Sequence, residues 1–446
     1  MKEILSTVVR LVLVGALVIT GSLLLATQSA SAQGLFPAYT SGVQVANLSS
    51  TNAAQVTLTA FNPDGTQNGS APTDNIAANS SKTYFPISNV TAGFSGSIVI
   101  SANQNVAAIS NILSANFTAG ASYVGRSAGS TTVLLPLLNK NNSGFTTWYS
   151  IQNAGNADAT VNIAYSDGTS SGPHTIKPGA AKIVYQAGET HNAPVFAGTV
   201  TSSQPVVAAV IQESTKIIFA YTGFAAGSTN PVFPLINANN VGYVTGLQIQ
   251  NAGNAATEVA VSYTPSQAGT ACTETRSIAP GASATFALAA FTNGNSSTCT
   301  PGAKFIGSAR VTTNSTSQPL VGIGNQLGVG NGEAYNAFAV SDAGSSVVMP
   351  LIMDRNSGFF TGFSVQNIGG AATAVNCTFQ NTTYTVGATL QPGQALADIQ
   401  QGKIANAYVG SGTCTGGAGS QLVAVVNELS TATGVDLFLV YEGVKP

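Results

Sequence analysis

Hydrophobic and polar residues alternate in the same way at several places along this chain. Val161, Ile163 and Tyr165 alternate with Thr160, Asn162 and Ala164. The same pattern returns with Val259, Val261 and Tyr263, and again with Val375, Cys377 and Phe379. Period-two alternation rich in β-branched and aromatic residues predicts a half-buried strand. Each of these strands begins eight residues after an asparagine: Asn153, Asn251 or Asn367. Each asparagine in turn lies 17 residues after a proline in an apolar block, namely Pro136, Pro234 or Pro350. Asn142, Asn240 and Asn356 follow that proline by six residues, and Gly144, Gly242 and Gly358 by eight. A shorter version opens with Phe36-Pro37 and ends at Asn47. The four marker asparagines are spaced by 106, 98 and 116 residues, which predicts four copies of one unit.

Within a unit the remaining signals are also those of strands and turns. A hydrophobic-x-Pro-Gly element recurs as Ile176 to Gly179, Ile278 to Gly281 and Leu390 to Gly393. Proline presets one turn dihedral and glycine accepts a positive φ. The first copy has Ile76-Ala77-Ala78-Asn79 instead, and asparagine is the other residue that tolerates that conformation. Each copy closes on an aromatic strand, at Tyr123, Tyr221, Tyr335 and Tyr441. Seven or eight short strands per copy, with no convincing helix after the leader, predict an all-β chain of four tandem immunoglobulin-like antiparallel β-sandwiches. Their expected bounds are 33–130, 131–229, 230–346 and 347–446. Gly129-Ser130, Gly227-Ser228 and Gly344-Ser345 form short joints, from which a semi-rigid rod or curved array is expected.

The string Asn-x-Gly, alternating strand, Asp-Gly, hydrophobic-x-Pro-Gly is similar to bacterial surface immunoglobulin-like repeats, including the cell-adhesion-related domains called CARDB. The resemblance covers residues 34 to 446. It implies spacers, adhesive stalks or accessory modules of secreted proteins.

Residues 1–32 read as a secretion signal. Lys2 and Arg10 flank a basic region, Leu11 to Leu25 is apolar, and Ala30-Ser31-Ala32 is a small-residue cleavage site. Removing Lys2, Arg10 and Glu3 with this leader leaves 12 basic and 15 acidic groups, a formal charge of −3. No basic stripe is present, so nucleic acid and anionic membranes are poor partners, and no membrane contact beyond the leader is expected. The four cysteines are expected to pair as Cys272–Cys299, stapling loops, and Cys377–Cys414, through a core.

Candidate chemistry is thin. His174 and His191 have no counterparts in other copies and read as exposed loop residues. Glu213 and Glu428 follow matching strands and read as polar strand ends. Asp64, Asp167 and Asp354 are isolated turn acids, and the Asn-rich turns at 139–143, 237–240 and 354–357 offer oxygens to calcium only weakly. No cofactor, metal or catalytic set is expected. Trp148, Tyr243, Phe359 and Phe360 are candidate aromatics for stacking on sugar rings, with the alternative that they fill cores or joints. The expected function is a secreted structural or adhesive surface protein, associating with itself through strand edges. A carbohydrate- or wall-binding module contacting surface polysaccharide is the alternative.

Overall fold

The structure is a computed structural model that describes residues 34–446 except 37, 291–293 and 315–317. The leader and Pro37 of the short first block therefore lie outside the described residues. No α-helix occurs among the described residues, and every strand ladder is antiparallel. The chain is an all-β protein of packed antiparallel sheets.

The second copy shows the plan. A proline strand, Ser130–Asn139, pairs with the first half of the long strand Val195–Glu213, which pairs in turn with the alternating strand Ala159–Tyr165 and through it with Ser170–Ile176. The marker strand Thr146–Asn153 lies between Ala181–Tyr185 and the second half of Val195–Glu213, beyond which the closing strand Ile218–Thr222 forms the edge. The third and fourth copies repeat these pairings with proline strands Val232–Ala238 and Ser346–Asp354. Their marker strands are Val244–Asn251 and Phe359–Asn367, and their closing strands Gly332–Asn336 and Leu439–Glu442. The first copy has the marker strand Tyr39–Asn47 and the closing strand Gly120–Val124, with no proline strand among its described residues.

The recurring residues have physical tasks. Each marker asparagine is buried at a strand end and clamps two segments. Asn251 donates to the Ala255 and Ile278 carbonyls at 2.8 and 2.9 Å and accepts from the Gly253 amide at 2.9 Å. Asn47, Asn153 and Asn367 make the corresponding bonds. At each marker proline the proline strand skips two residues in its ladder: Pro136-Leu137, Pro234-Leu235 and Pro350-Leu351. Proline has no N–H for a ladder, so a bulge is its natural place. The carbonyl freed after each proline accepts a bond from the tyrosine of that unit's closing strand: Tyr221 to Leu137 at 2.6 Å, Tyr335 to Leu235 at 2.5 Å, and Tyr441 to Leu351. Gly179, Gly281 and Gly393 adopt φ of 75°, 70° and 82°, and Asn79 takes the same role at 52°.

The units do not form a rod. Each packs on the next in a closed ring. Ser97 donates to the Gly179 carbonyl at 2.5 Å, joining unit one to unit two. Ser308 donates to the Gly393 carbonyl at 2.9 Å, joining three to four. Ser411 donates to the Asn79 carbonyl at 3.3 Å, joining four back to one. The proline carbonyls are docking points in the same circuit, with Ser364 bonding Pro234 at 3.1 Å and Gln44 bonding Pro350 at 3.3 Å. Between units two and three, Ile323 and Ala334 join the core around Leu135, Phe219 and Tyr221. The rod expectation rested on the short joints alone and took no account of the closing strands. Each of them is an edge with unpaired amides and carbonyls, and the ring forms by turning all four such edges inward.

Both disulfides pair as the cysteine positions suggested. Cys377 and Cys414 are fully buried on different strands in the core of the fourth unit, as direct cross-strand neighbours of one sheet.

Candidate functional site

The four closing strands pack side by side around the ring axis. Stepping two residues at a time along them gives three layers, each organised by a buried acid. The first layer lies at the end where the hairpin turns leading into these strands converge. There the Asp436 carboxylate accepts the Ile218 and Gly332 amides, each at 2.8 Å. Its own amide donates to the Thr118 carbonyl at 2.7 Å, and its carbonyl accepts from Gly120 at 2.8 Å. This one residue thus touches all four units. In the second layer, Glu333 accepts from the Ser122 amide at 3.0 Å and from those of Ala220 and Ala334 at 2.6 Å. Glu428 flanks it, accepting from Asn111 at 2.9 Å and from the Ser122 hydroxyl at 3.4 Å. In the third layer, Asn336 exchanges bonds with the Thr222 amide and carbonyl at 3.1 and 2.6 Å, and Glu442 accepts the Asn336 amide. The Thr222 hydroxyl donates to the Val124 carbonyl at 2.8 Å.

These acids sit where charge is costly. Burial pushes Glu428 up to about 7 and Asp436 up to about 8, against the hydrogen bonds that favour the ionised forms. Burial also raises Glu333, despite its three amides, with Asp436 adding repulsion. Glu442 is raised by burial as well, opposed by the Asn336 amide and Arg126. Chemically the arrangement is a substitute ladder. Carboxylate and amide side chains fill the places where neighbouring strands cannot bond directly. Every acid here is engaged by named donors, and no group of three or more potential metal ligands is arranged for an ion among the described residues.

Glu428, read from sequence as a polar strand end, therefore belongs to the axis. Glu213, its counterpart, is also fully buried, but nearer the N-terminus: it accepts the Leu35 amide at 2.8 Å and the Tyr39 hydroxyl. Glu333, Asp436 and Glu442 were missed. A signal existed for two of them. Glu333 stands two residues before the closing tyrosine, where the other copies have Ala121, Phe219 and Leu439, and Glu442 stands one after it, where they have Val124, Thr222 and Asn336.

The other candidates are scattered. Trp148 is 3 % exposed, packed between units one and two with its ring 5.8 Å from Tyr39. It offers no face to a sugar, so its place in the proposed stacking set is corrected: it fills a joint. Tyr243 is half-buried, edge-on to Phe438 at 5.4 Å. Phe359 and Phe360 are half-buried in the fourth unit, and Phe359 packs beside Leu437 and Leu439. These four aromatics do not share one surface row.

His191 is not an exposed loop residue. Its imidazole is 1 % exposed, stacked on Phe196 at 3.9 Å, with Nδ1 3.1 Å from Asp167. Burial lowers its pKa, against the pull of Asp167. Burial pushes Asp167 up, but bonds from Thr169, Asn192 and His191 outweigh it and bring the carboxyl down to about 2. Thr169 meets the same Nδ1 as Asp167, so the trio tethers a loop and has no nucleophile–base–orienter order. His174 bonds Ser171 at 3.1 Å in the same unit. Asp64 holds its own turn through Thr66. Asp354, buried, accepts the Gly402 and Ile404 amides at 2.7 and 2.8 Å and pairs with Arg355, which leaves no open calcium ligand.

At the opposite end of the axis the strands open into a cavity of about 520 Å³ whose lining includes Arg126, Asp342, Glu442 and Lys445. No helix among the described residues is long and apolar enough to cross a membrane. No protein-family model and no curated protein matches this chain.

Proposed function

We propose that this is a secreted, non-catalytic structural or adhesive protein of a cell surface or extracellular layer, which associates with its own copies through strand edges and neutral polar faces. Two disulfides fit an oxidising compartment outside the cytosol. The buried carboxylates bind backbone rather than leaving a site open for substrate, so the polar interior supports a scaffold. The chain carries only 7 % charged residues, and little repulsion keeps its surfaces apart.

One strand edge carries the association reading. Thr385–Leu390 pairs on one side only, with Thr373–Phe379, and its residues 385, 387 and 389 are exposed. It holds neither lysine nor proline, the residues that usually guard an edge. Three other edges are guarded: Ser170–Ile176 by Pro173, Ser81–Tyr84 by Lys82 and Ala181–Tyr185 by Lys182, whereas Ser283–Phe286 and Ala395–Ile399 share the open character of Thr385–Leu390. Strand addition along Thr385–Leu390 would join one ring to another. Light scattering of the purified protein across concentration tests this. The expected outcome is association that changes little with salt and is weakened by Thr385→Lys with Thr389→Lys. A strict monomer at high concentration refutes it.

A further inference from the structure

The hairpin-turn end of the ring is chemically unlike the rest of the molecule. Eight large hydrophobic residues are exposed among the described residues, and six of them are at this end: Leu35, Phe117, Val241, Val244, Leu327 and Val329. Their common location follows from contacts. The Asp436 backbone bonds the Phe117 turn through Thr118, and its carboxylate bonds Gly332 at the end of the Val329 turn. Asn331 of the Val329 turn donates to the Tyr243 hydroxyl at 2.9 Å, which brings the Val241 turn alongside. Leu35 is held by Glu213, at the start of the turn that ends in Ile218.

Two of these side chains are almost wholly in solvent, Val241 at 89 % and Val329 at 93 %. Val241 also sits at φ 51°, a left-handed conformation that is poor for a β-branched residue. The equivalent positions in the sister turns are Ser143 and Ser357, at φ 49° and 51°. An exposed, strained valine where the fold elsewhere uses serine contributes nothing to the core. It needs a role outside it.

Charge is sorted at the same end. Lys140, Lys216 and Arg355 lie on the turns there, Lys216 exposed, Lys140 half-buried and Arg355 beside the buried Asp354. Glu213, Asp354 and Asp436 all point inward and are buried, which leaves the half-buried Glu189, whose carbonyl accepts from Lys140, as the acid beside three basic side chains. The exposed rim is therefore basic around an aliphatic tip. Linear sequence hides this, because Lys140 and Lys216 stand 76 residues apart in unit two and Arg355 comes from unit four. Finally, the chain enters the fold here. Gly34 is nine residues after Leu25, the end of the apolar run, and nine extended residues reach about 30 Å.

We infer that this end of the ring is a membrane-apposed face, with Val241 and Val329 inserting into the headgroup boundary of a lipid surface and Lys140, Lys216 and Arg355 meeting anionic headgroups. Aliphatic tips ringed by lysine and arginine match the two-part chemistry of an interfacial lipid contact. The inference departs from the sequence expectation that membranes are poor partners, and it stands independently of strand-edge association.

Flotation with lipid vesicles tests it, using the protein as purified from cells that export it. Vesicles of phosphatidylcholine alone are compared with vesicles containing phosphatidylglycerol. The wild-type protein should float with the anionic vesicles. Val241→Asp with Val329→Asp should cut binding about tenfold or more, since charges replace the inserting groups. Lys140→Gln with Lys216→Gln should reduce the preference for anionic over neutral vesicles. Val241→Ser with Val329→Ser supplies the milder pair, borrowing the residue of the sister turns, and should also lose binding while keeping the thermal transition. The inference is overturned if wild-type protein does not float, or if it floats equally well after the valine changes. It is also overturned if the valine changes abolish only self-association, which would make the face a contact between copies.

Discussion

Asp436 is the residue whose change reads out the ring most directly. Its carboxyl is raised from 3.8 to about 8 by burial. Below about pH 4 it is protonated in both folded and unfolded chains. Between about pH 4 and 8 the folded protein keeps a proton that the unfolded chain has released, so stability falls as pH rises through that range. Each pH unit in the window is worth up to about 1.4 kcal/mol for one such group. Glu428, raised to about 7, adds to the slope at its lower end. The lowered histidines act in the opposite direction, but only below their ordinary value of 6.5, so from pH 6.5 to 8 they drop out and Glu428 and Asp436 lower stability together. There Asp436 alone should remove about 2 kcal/mol of stability. Asp436→Asn abolishes this titration. It also sets an amide N–H₂ against one of the two backbone N–H groups the carboxyl now accepts, at a cost of about 1–3 kcal/mol. The variant should therefore be less stable than wild type at pH 6.5, with the gap closing by pH 8. Urea unfolding followed by Trp148 fluorescence is the assay, because this single tryptophan is buried between units one and two and senses ring opening. A wild-type midpoint that stays level or rises from pH 6.5 to 8, or a variant with the wild-type slope, refutes the reasoning.

Two further outcomes are expected. Asn251→Ala removes three hydrogen bonds at a buried strand end and should cost about 2–3 kcal/mol in the same urea assay, whereas Asn295→Ala, on a loop of the same unit, should cost less. Replacing Cys377 and Cys414 together by alanine should destabilise by about 2–5 kcal/mol, and non-reducing peptide mapping of the wild type should recover Cys377 joined to Cys414 and Cys272 joined to Cys299.

Much of the local structure was legible because its determinants are local. The alternation at Val161, Ile163 and Tyr165 records a strand with one face in the core, and all three are buried. Asn79 in place of glycine was readable from its tolerance of positive φ. The recurrence of Asn153 and its sisters marked a clamp, although its bonds to Ala157 and Ile176 could not be told from sequence. The ring and its acid-lined axis were not legible, because they arise between units. Nothing near Glu333 in the chain says that Ser122 and Ala220 amides will meet it. Trp148 illustrates the same limit: an aromatic next to Tyr149 on a strand reads alike whether it faces solvent or a neighbouring unit.

Ring closure also fixes how this architecture can vary. In open repeat arrays each unit touches only its neighbours, so units can be gained or lost at an end without disturbing the rest. Here unit four bonds unit one through Ser411 and Asn79, and Asp436 reaches every other unit. A fifth copy would have no gap to enter, and three copies would leave the axis exposed with its acceptors unmet. The number of repeats is therefore set by geometry, and change within this scaffold must be confined to its turns, outer edges and insertions.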